Sequence, residues 1–410
     1  MAIENEISTS LLKLERWSSA ANYQAYDTFD GLSSPLAPVL TLNIPLLKQV
    51  WQQGVRRFPM NIRPLLGIKP AHSSKGMGFF AQGYLRLYQI TGREEYLVKM
   101  RFCLDWLITH RCPQFKGNAW GNHFDYQSRG GQIPPGTPTV VWTSLIGHAF
   151  LDAYEAIGDE KYLNAAHAAA EFIVNELGWI ETGQDICLNY IPSNGGKPVK
   201  GEGFIHNSNV LGAGLLARVN SHRAGARYLE IAREAVKFTV RLQLPNGAWY
   251  YGIQKKYHWV DSFHTGYNLE SIDWYCRTSG DPSFLTSLDN GYRFFIDTFF
   301  GADGTPRYYD YKTSPLDIQC ASQGIQTLVN LSRLDDRSID IAEKVACWTI
   351  RNMQDPLGYF YYRKYLLITN KTPTLHWGQA TMFAALAILL KYLESNSEAS
   401  EAVASLKAVA

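Results

Sequence analysis

The sequence predicts an all-α protein, an (α/α)6 toroid with short β hairpins in its rim loops. Three observations point to it: a short motif that recurs along the chain, helical periodicity on both sides of each copy, and aromatic-rich loops between the copies. The motif reads Gly92-Arg-Glu-Glu-Tyr-Leu97, Gly158-Asp-Glu-Lys-Tyr-Leu163, Gly225-Ala-Arg-Tyr-Leu229 and Gly280-Asp-Pro-Ser-Phe-Leu285, with a weaker copy at Asp336-Arg-Ser-Ile339. Its anchors fall at 96, 162, 228, 284 and 339, at intervals of 66, 66, 56 and 55 residues. Each interval is long enough for two helices and a loop, and self-similarity at such a period marks a repeat architecture.

After Gly158, residues Tyr162, Leu163, Ala166, Ala169, Phe172 and Ile173 keep a helical period with polar residues between them, so this helix has one wet face. Before Gly158, residues Leu145, Ile146, Ala149, Phe150, Ala153 and Tyr154 leave little room for charge, the mark of a helix buried on most sides. Glycine between the two suits a helix C′ position, which favours positive φ. Each unit is therefore a buried inner helix, a turn, a wetter outer helix and a return loop. Inner helices are expected to start near His72, Thr139, His206, Asp261, Asp317 and His376. Outer helices follow the first five, and the helix Ile44 to Arg57 is the expected outer partner of the sixth. Six hairpins that bury both flanks close into a ring without exposed ends. Residues 44–394 then form one toroid domain, preceded by a lead segment 1–43 and followed by a frayed tail 395–410.

Composition narrows the function. Lys plus Arg total 39 against 37 Asp plus Glu, which argues against a nucleic-acid protein. No apolar run reaches the ~18 residues of a membrane span, and the N-terminus lacks a signal-peptide pattern. Six scattered cysteines without a C-x-x-C pair read as reduced thiols in a cytoplasmic protein. No Cys or His spacing suits zinc, Gly76-Met-Gly78 follows no strand, and there is no Gly-x-Ser-x-Gly elbow, so no metal or cofactor is expected.

The aromatic content is high, with 24 Tyr, 19 Phe and 11 Trp, and much of it lies in the return loops. These read Ala119 to Tyr126, Cys187 to Tyr190, Ala248 to Gly252, Pro306 to Tyr311 and Gly358 to Arg363, and in a toroid they all emerge on one rim. Trp and Tyr with scattered polar groups suit sugar rings. Candidate substrate-binding residues are Trp120, Asn122, Arg129, Asn189, His206, Asn207, Trp249, Tyr250, Arg363, His376, Trp377 and Gln379. Two chemistries compete. Asp125 with Asp261 or Asp317 would supply the carboxyl pair of a glycosidase, although Asp261 and Asp317 also suit plain N-capping. His264, Tyr267 and Tyr362, with Asn, Arg and His beside them, would supply the base and acid of a uronate lyase or epimerase. The three mouth-side aspartates place hydrolysis slightly ahead.

The runs Trp120-Gly-Asn-His-Phe-Asp-Tyr-Gln-Ser-Arg129, His264-Thr-Gly-Tyr-Asn268, Met353-Gln-Asp355 and His376-Trp-Gly-Gln-Ala380 resemble a bacterial family of polysaccharide-biosynthesis proteins, over about Tyr26 to Tyr392. The helix pattern resembles the six-hairpin glycosidases and the related toroids of polysaccharide lyases and uronate epimerases. The resemblance implies a role in surface or exopolysaccharide processing, with an oligosaccharide or polysaccharide as partner, and carries no catalytic residues over. A non-catalytic sugar-binding protein of polysaccharide assembly is a rival, as is a terpenoid-cyclase-like toroid, although the Asp-rich motifs of the cyclases are missing.

Overall fold

The computed structural model describes residues 2–128, 130–193, 204–225 and 227–409. Its helices are α1 Ala2–Ala20, α2 Ala37–Thr41, α3 Pro45–Arg57, α4 Ser74–Thr91, α5 Glu94–Thr109, α6 Val140–Ile157, α7 Glu160–Phe172, α8 His206–His222, α9 Tyr228–Arg241, α10 Ser262–Ser279, α11 Leu285–Phe299, α12 Ile318–Asn330, α13 Ser338–Met353 and α14 Thr381–Val409. Helices α4, α6, α8, α10, α12 and α14 each touch the next, and α14 closes on α4. This is the inner ring of an (α/α)6 toroid. In α8 every residue from His206 to Val219 is buried, the polar His206, Asn207, Ser208, Asn209 and Arg218 included.

The outer ring is α5, α7, α9, α11, α13 and α1. The twelfth helix is thus α1, not α3. Ile7, Leu11 and Leu14 of α1 are fully buried, and α1 lies against α14 and α13. Helix α3 instead crosses the mouth of the ring, burying Gln52 and Val55 and bringing Val50 and Gln53 to the cavity, while Leu46 is left exposed. Its amphipathic pattern reads correctly as a helix but not as to which side is covered. Residues 1–43, expected as a lead segment, therefore supply a ring helix, and α14 runs on to Val409.

Glycines close α4, α6 and α10 in the left-handed conformation. Gly92, Gly158 and Gly280 have φ of 65°, 69° and 72°, and each N–H returns to the carbonyl four residues back. The third unit differs. Arg227, not Gly225, takes positive φ, and a Cβ on Gly225 would meet the Tyr228 ring at 2.2 Å. Glycine is needed there for close approach.

Short antiparallel strands decorate the rim: β1 Tyr126–Gln127 with β2 Gln132–Ile133, β3 Trp179–Glu181 with β4 Ile186–Leu188, and β5 Leu316–Asp317, β6 Arg363–Lys364 and β7 Thr369–Asn370 in the order β5-β6-β7. The register sets Asp317 opposite Arg363.

Candidate active site

Inner-helix N-termini and the return loops surround a cavity of about 840 Å3, within the range of ligand pockets. Its floor and walls carry two histidines, each backed by a carboxylate. Asp261 is the N-cap of α10: its Oδ1 accepts the backbone N–H of His264 at 3.0 Å. Its Oδ2 accepts Nδ1 of the same imidazole at 2.7 Å and Nε1 of Trp259 at 3.0 Å. Capping and histidine orientation are one arrangement. Because Nδ1–H is held by the carboxylate, Nε2 is the ring nitrogen left for a ligand.

The second pair lies two inner helices further on. His376, on the π-helical turn Leu375–Ala380 that leads into α14, places Nδ1 2.5 Å from Oδ2 of Asp27. Both residues are almost fully buried. Burial lowers the imidazole's affinity for a proton, and Asp27 offsets this only in part. Burial raises the Asp27 carboxyl, but the His376 charge and hydrogen bond outweigh it, so Asp27 stays below its ordinary value. A buried brace fixes Asp27. Arg63 donates from Nη2 to the Asp27 carbonyl at 2.8 Å and from Nε to Asp30 Oδ1 at 2.7 Å, while Asp30 Oδ2 accepts the Asp27 N–H at 2.9 Å. Desolvation lifts Asp30 to about 6 despite Arg63. The N–H of Leu375 donates to the Tyr26 carbonyl at 2.7 Å, which ties this segment to His376.

Aromatic rings line the rest. Trp142 meets His376 edge-on at 5.0 Å. Trp377, Phe263 and His264 form a continuous wall, with centroids 5.9 Å and 4.1 Å apart. Tyr190, Tyr251, Trp259, Tyr308 and Tyr309 complete it. Arg56 enters from α3, its guanidinium 4.5 Å from the Phe29 ring and 5.8 Å from Trp377, with Nε donating to Tyr362 Oη at 2.9 Å. No carboxylate among the described residues pairs with it.

The structure brings Asn122, His264, His376 and Trp377 of the sequence candidates to the cavity. The others lie elsewhere. Trp120 and Trp249 are buried plugs, with Nε1 donating to the Leu107 and Thr239 carbonyls, both at 2.9 Å. Tyr250 stacks on His258 outside the cavity. Asp125 accepts Gln132 Nε2 at 2.8 Å on the surface side of its loop. Asp317 caps α12 through Gln319 N–H and receives Arg363 Nε at 2.8 Å. Arg363 in turn lies over the Tyr362 ring, and Tyr362 is buried behind the wall. Asn189 holds the Leu177 carbonyl, and Gln379 holds both backbone groups of Phe360. His206 turns toward Thr239 of α9, and burial lowers it to about 4. Asn207 is buried away from the cavity. Tyr267 faces a separate cavity of about 90 Å3 on the ring axis. Its hydroxyl accepts from Lys75 Nζ at 3.4 Å, and burial brings that ammonium down to about 7. Arg129 lies outside the described residues. Among the described residues no group of three His, Cys, Asp or Glu could hold a metal ion.

Asp27, Arg56, Trp259 and Tyr251 are the residues sequence reasoning missed. Tyr251 stood in a loop already singled out. Asp27 and Arg56 lie in segments read as a lead and an outer helix, and no local pattern marks them.

No family model and no curated protein matches the chain. Solved structures do. Cellobiose 2-epimerase from Bacillus thermoamylovorans B4167 superposes with a TM-score of 0.58 at 10% identity, over 77% of this chain and 87% of that one. The GH76 α-mannanase BT2949 of Bacteroides thetaiotaomicron gives 0.58 at 14%, over 80% and 87%. An unsaturated glucuronyl hydrolase specific for heparin gives 0.60 at 13%, over 96% and 98%. At these identities the likeness is one of fold, the (α/α)6 toroid.

Proposed function

We propose that this chain is a sugar-active enzyme that moves a proton on a carbon beside a carbonyl, with His264 and His376 as the acid–base pair. The observation that carries this reading is the matched arrangement of the two imidazoles: both line one cavity, both begin alternate inner helices, and both rest Nδ1 on a buried carboxylate. One histidine takes the proton from carbon, and the C–H electron pair moves onto the carbonyl oxygen as an enediolate. The other returns a proton, to the opposite face of the same carbon in epimerisation or to the neighbouring carbon in isomerisation. Arg56, with no acid partner among the described residues, is suited to the oxygen on which charge develops. Trp377, Trp259 and Tyr251 offer stacking faces for the sugar. The similarity of fold to a cellobiose 2-epimerase accords with this reading.

Hydrolysis, first among the sequence expectations, draws less support. It calls for a proton-donating carboxyl beside the scissile bond, and the one carboxylate side chain lining the cavity among the described residues, Asp27, is engaged by His376. The test is a proton NMR screen of reducing sugars, disaccharides and hexuronates incubated with the protein. An epimeric or isomeric sugar is the expected product. Shortened glycans in its place would overturn the reading in favour of hydrolysis.

A further inference from the structure

The rim of the mouth is built unlike the rest of the surface. From α2, α3 and the turn between them it projects Val39, Leu42 and Leu46, which are 72, 70 and 67% exposed. Toward the other end of α3 the turn between β6 and β7 projects Leu366 and Leu367, at 88 and 91%. The two parts are joined: Asn370 of β7 donates to the carbonyl of Phe58, which follows α3, at 2.7 Å. Helix α3 is inside out for a water-facing helix, with its glutamine Gln52 covered and its leucines bare. Several large apolar side chains left bare along one rim mark an interaction site.

Charge says what covers it. No Asp or Glu occurs between Asp30 and Glu94, or between Asp355 and Glu394, whereas Lys48, Arg57, Lys69 and Lys371 stand in these stretches. Lys48 donates to Gln132, whose amide donates in turn to Asp125, and no ion pair of Lys48 is formed among the described residues. A second copy of the chain placed on this face about a two-fold axis would set these cations against their own kind with few acids to pair them. A bilayer with anionic headgroups takes up leucines and cations together. No helix among the described residues is long and apolar enough to cross a membrane, so the contact would be peripheral. We infer that the mouth rim, α2–α3 with the β6–β7 turn, docks on an anionic lipid surface. This inference does not depend on the proposed chemistry.

The test is flotation of the full chain with phosphatidylcholine vesicles, with and without about 30% phosphatidylglycerol. The chain is expected to float with the anionic vesicles, and to be released several-fold by about 0.5 M salt. The double variant Leu366→Ser/Leu367→Ser should lower partitioning by about tenfold or more. Leu42→Ser/Leu46→Ser, on the other part of the rim, should do the same. All four side chains are exposed, so thermal unfolding should not shift, and that is to be checked for each variant. Flotation that ignores phosphatidylglycerol, or variants that float as the parent does, would overturn the inference. So would a sedimentation-velocity dimer that Leu366→Ser/Leu367→Ser dissociates, in a chain that binds no vesicle; the rim would then be an interface between copies.

Discussion

His264→Gln and His376→Gln are each expected to lower kcat by about two to four powers of ten, the usual contribution of a positioned acid or base. Glutamine keeps the approximate size and a hydrogen bond to Asp261 or Asp27 but cannot carry the proton. Sugar affinity, measured by calorimetry, should change far less than turnover, because the aromatic wall from Trp377 to Tyr251 is untouched. Asp261→Asn should fall between parent and His264→Gln. It preserves the α10 cap but weakens the hold on Nδ1–H, so the ring spends part of its time in the wrong tautomer. Asp125→Asn should leave kcat nearly unchanged, since Asp125 only accepts from Gln132 at the loop surface. A large loss for Asp125→Asn beside mild losses for both histidine variants would favour carboxylate chemistry.

Trp249→Ala is expected to destabilise the fold by about 3–5 kcal/mol, the usual cost of truncating a fully buried tryptophan. The ring is 2% exposed, packs on Gly291 and donates Nε1 to the Thr239 carbonyl near the end of α9. Removing it leaves a cavity between α9 and α11, and the Thr239 carbonyl keeps only the Leu242 N–H. Trp120→Ala should behave alike, because Trp120 makes the equivalent bond to Leu107 near the end of α5. Urea unfolding gives the energies. Sugar binding by the folded fraction should be unaffected, which separates these plugs from a binding platform. Loss of binding without loss of stability would return Trp249 to the rim.

The repeat period, the inner-helix starts and the aromatic loops were legible because they rest on local patterns: glycine at a helix end, a buried helix before it, and a cap residue at the next start. Which loop aromatic faces the cavity was not legible. Trp249 goes down into the packing and Tyr251, two residues on, reaches the cavity, and likewise Trp120 and Asn122; strict strand alternation would put each pair on one face, so the irregular backbone of these loops sets the outcome. Composition says that the loop is aromatic; the Nε1 bond to the outer helix decides which ring is sacrificed to the core. Asp261 was readable as an N-cap, and its second role follows from the i,i+3 spacing to His264. Asp27 was not readable, since it meets His376 from the other end of the chain. Helix α3 was misplaced for a related reason: its amphipathic pattern marks a helix but does not say what that helix packs on.

The central claim, that two carboxylate-backed histidines move a proton on carbon, is tested most directly by turnover in D2O. The product sugar is read by proton NMR at the carbon beside the carbonyl. The account predicts deuterium at that carbon, formed with the parent protein and missing with His264→Gln and His376→Gln. A product formed at full rate with that C–H intact, accompanied by new reducing ends, would contradict it.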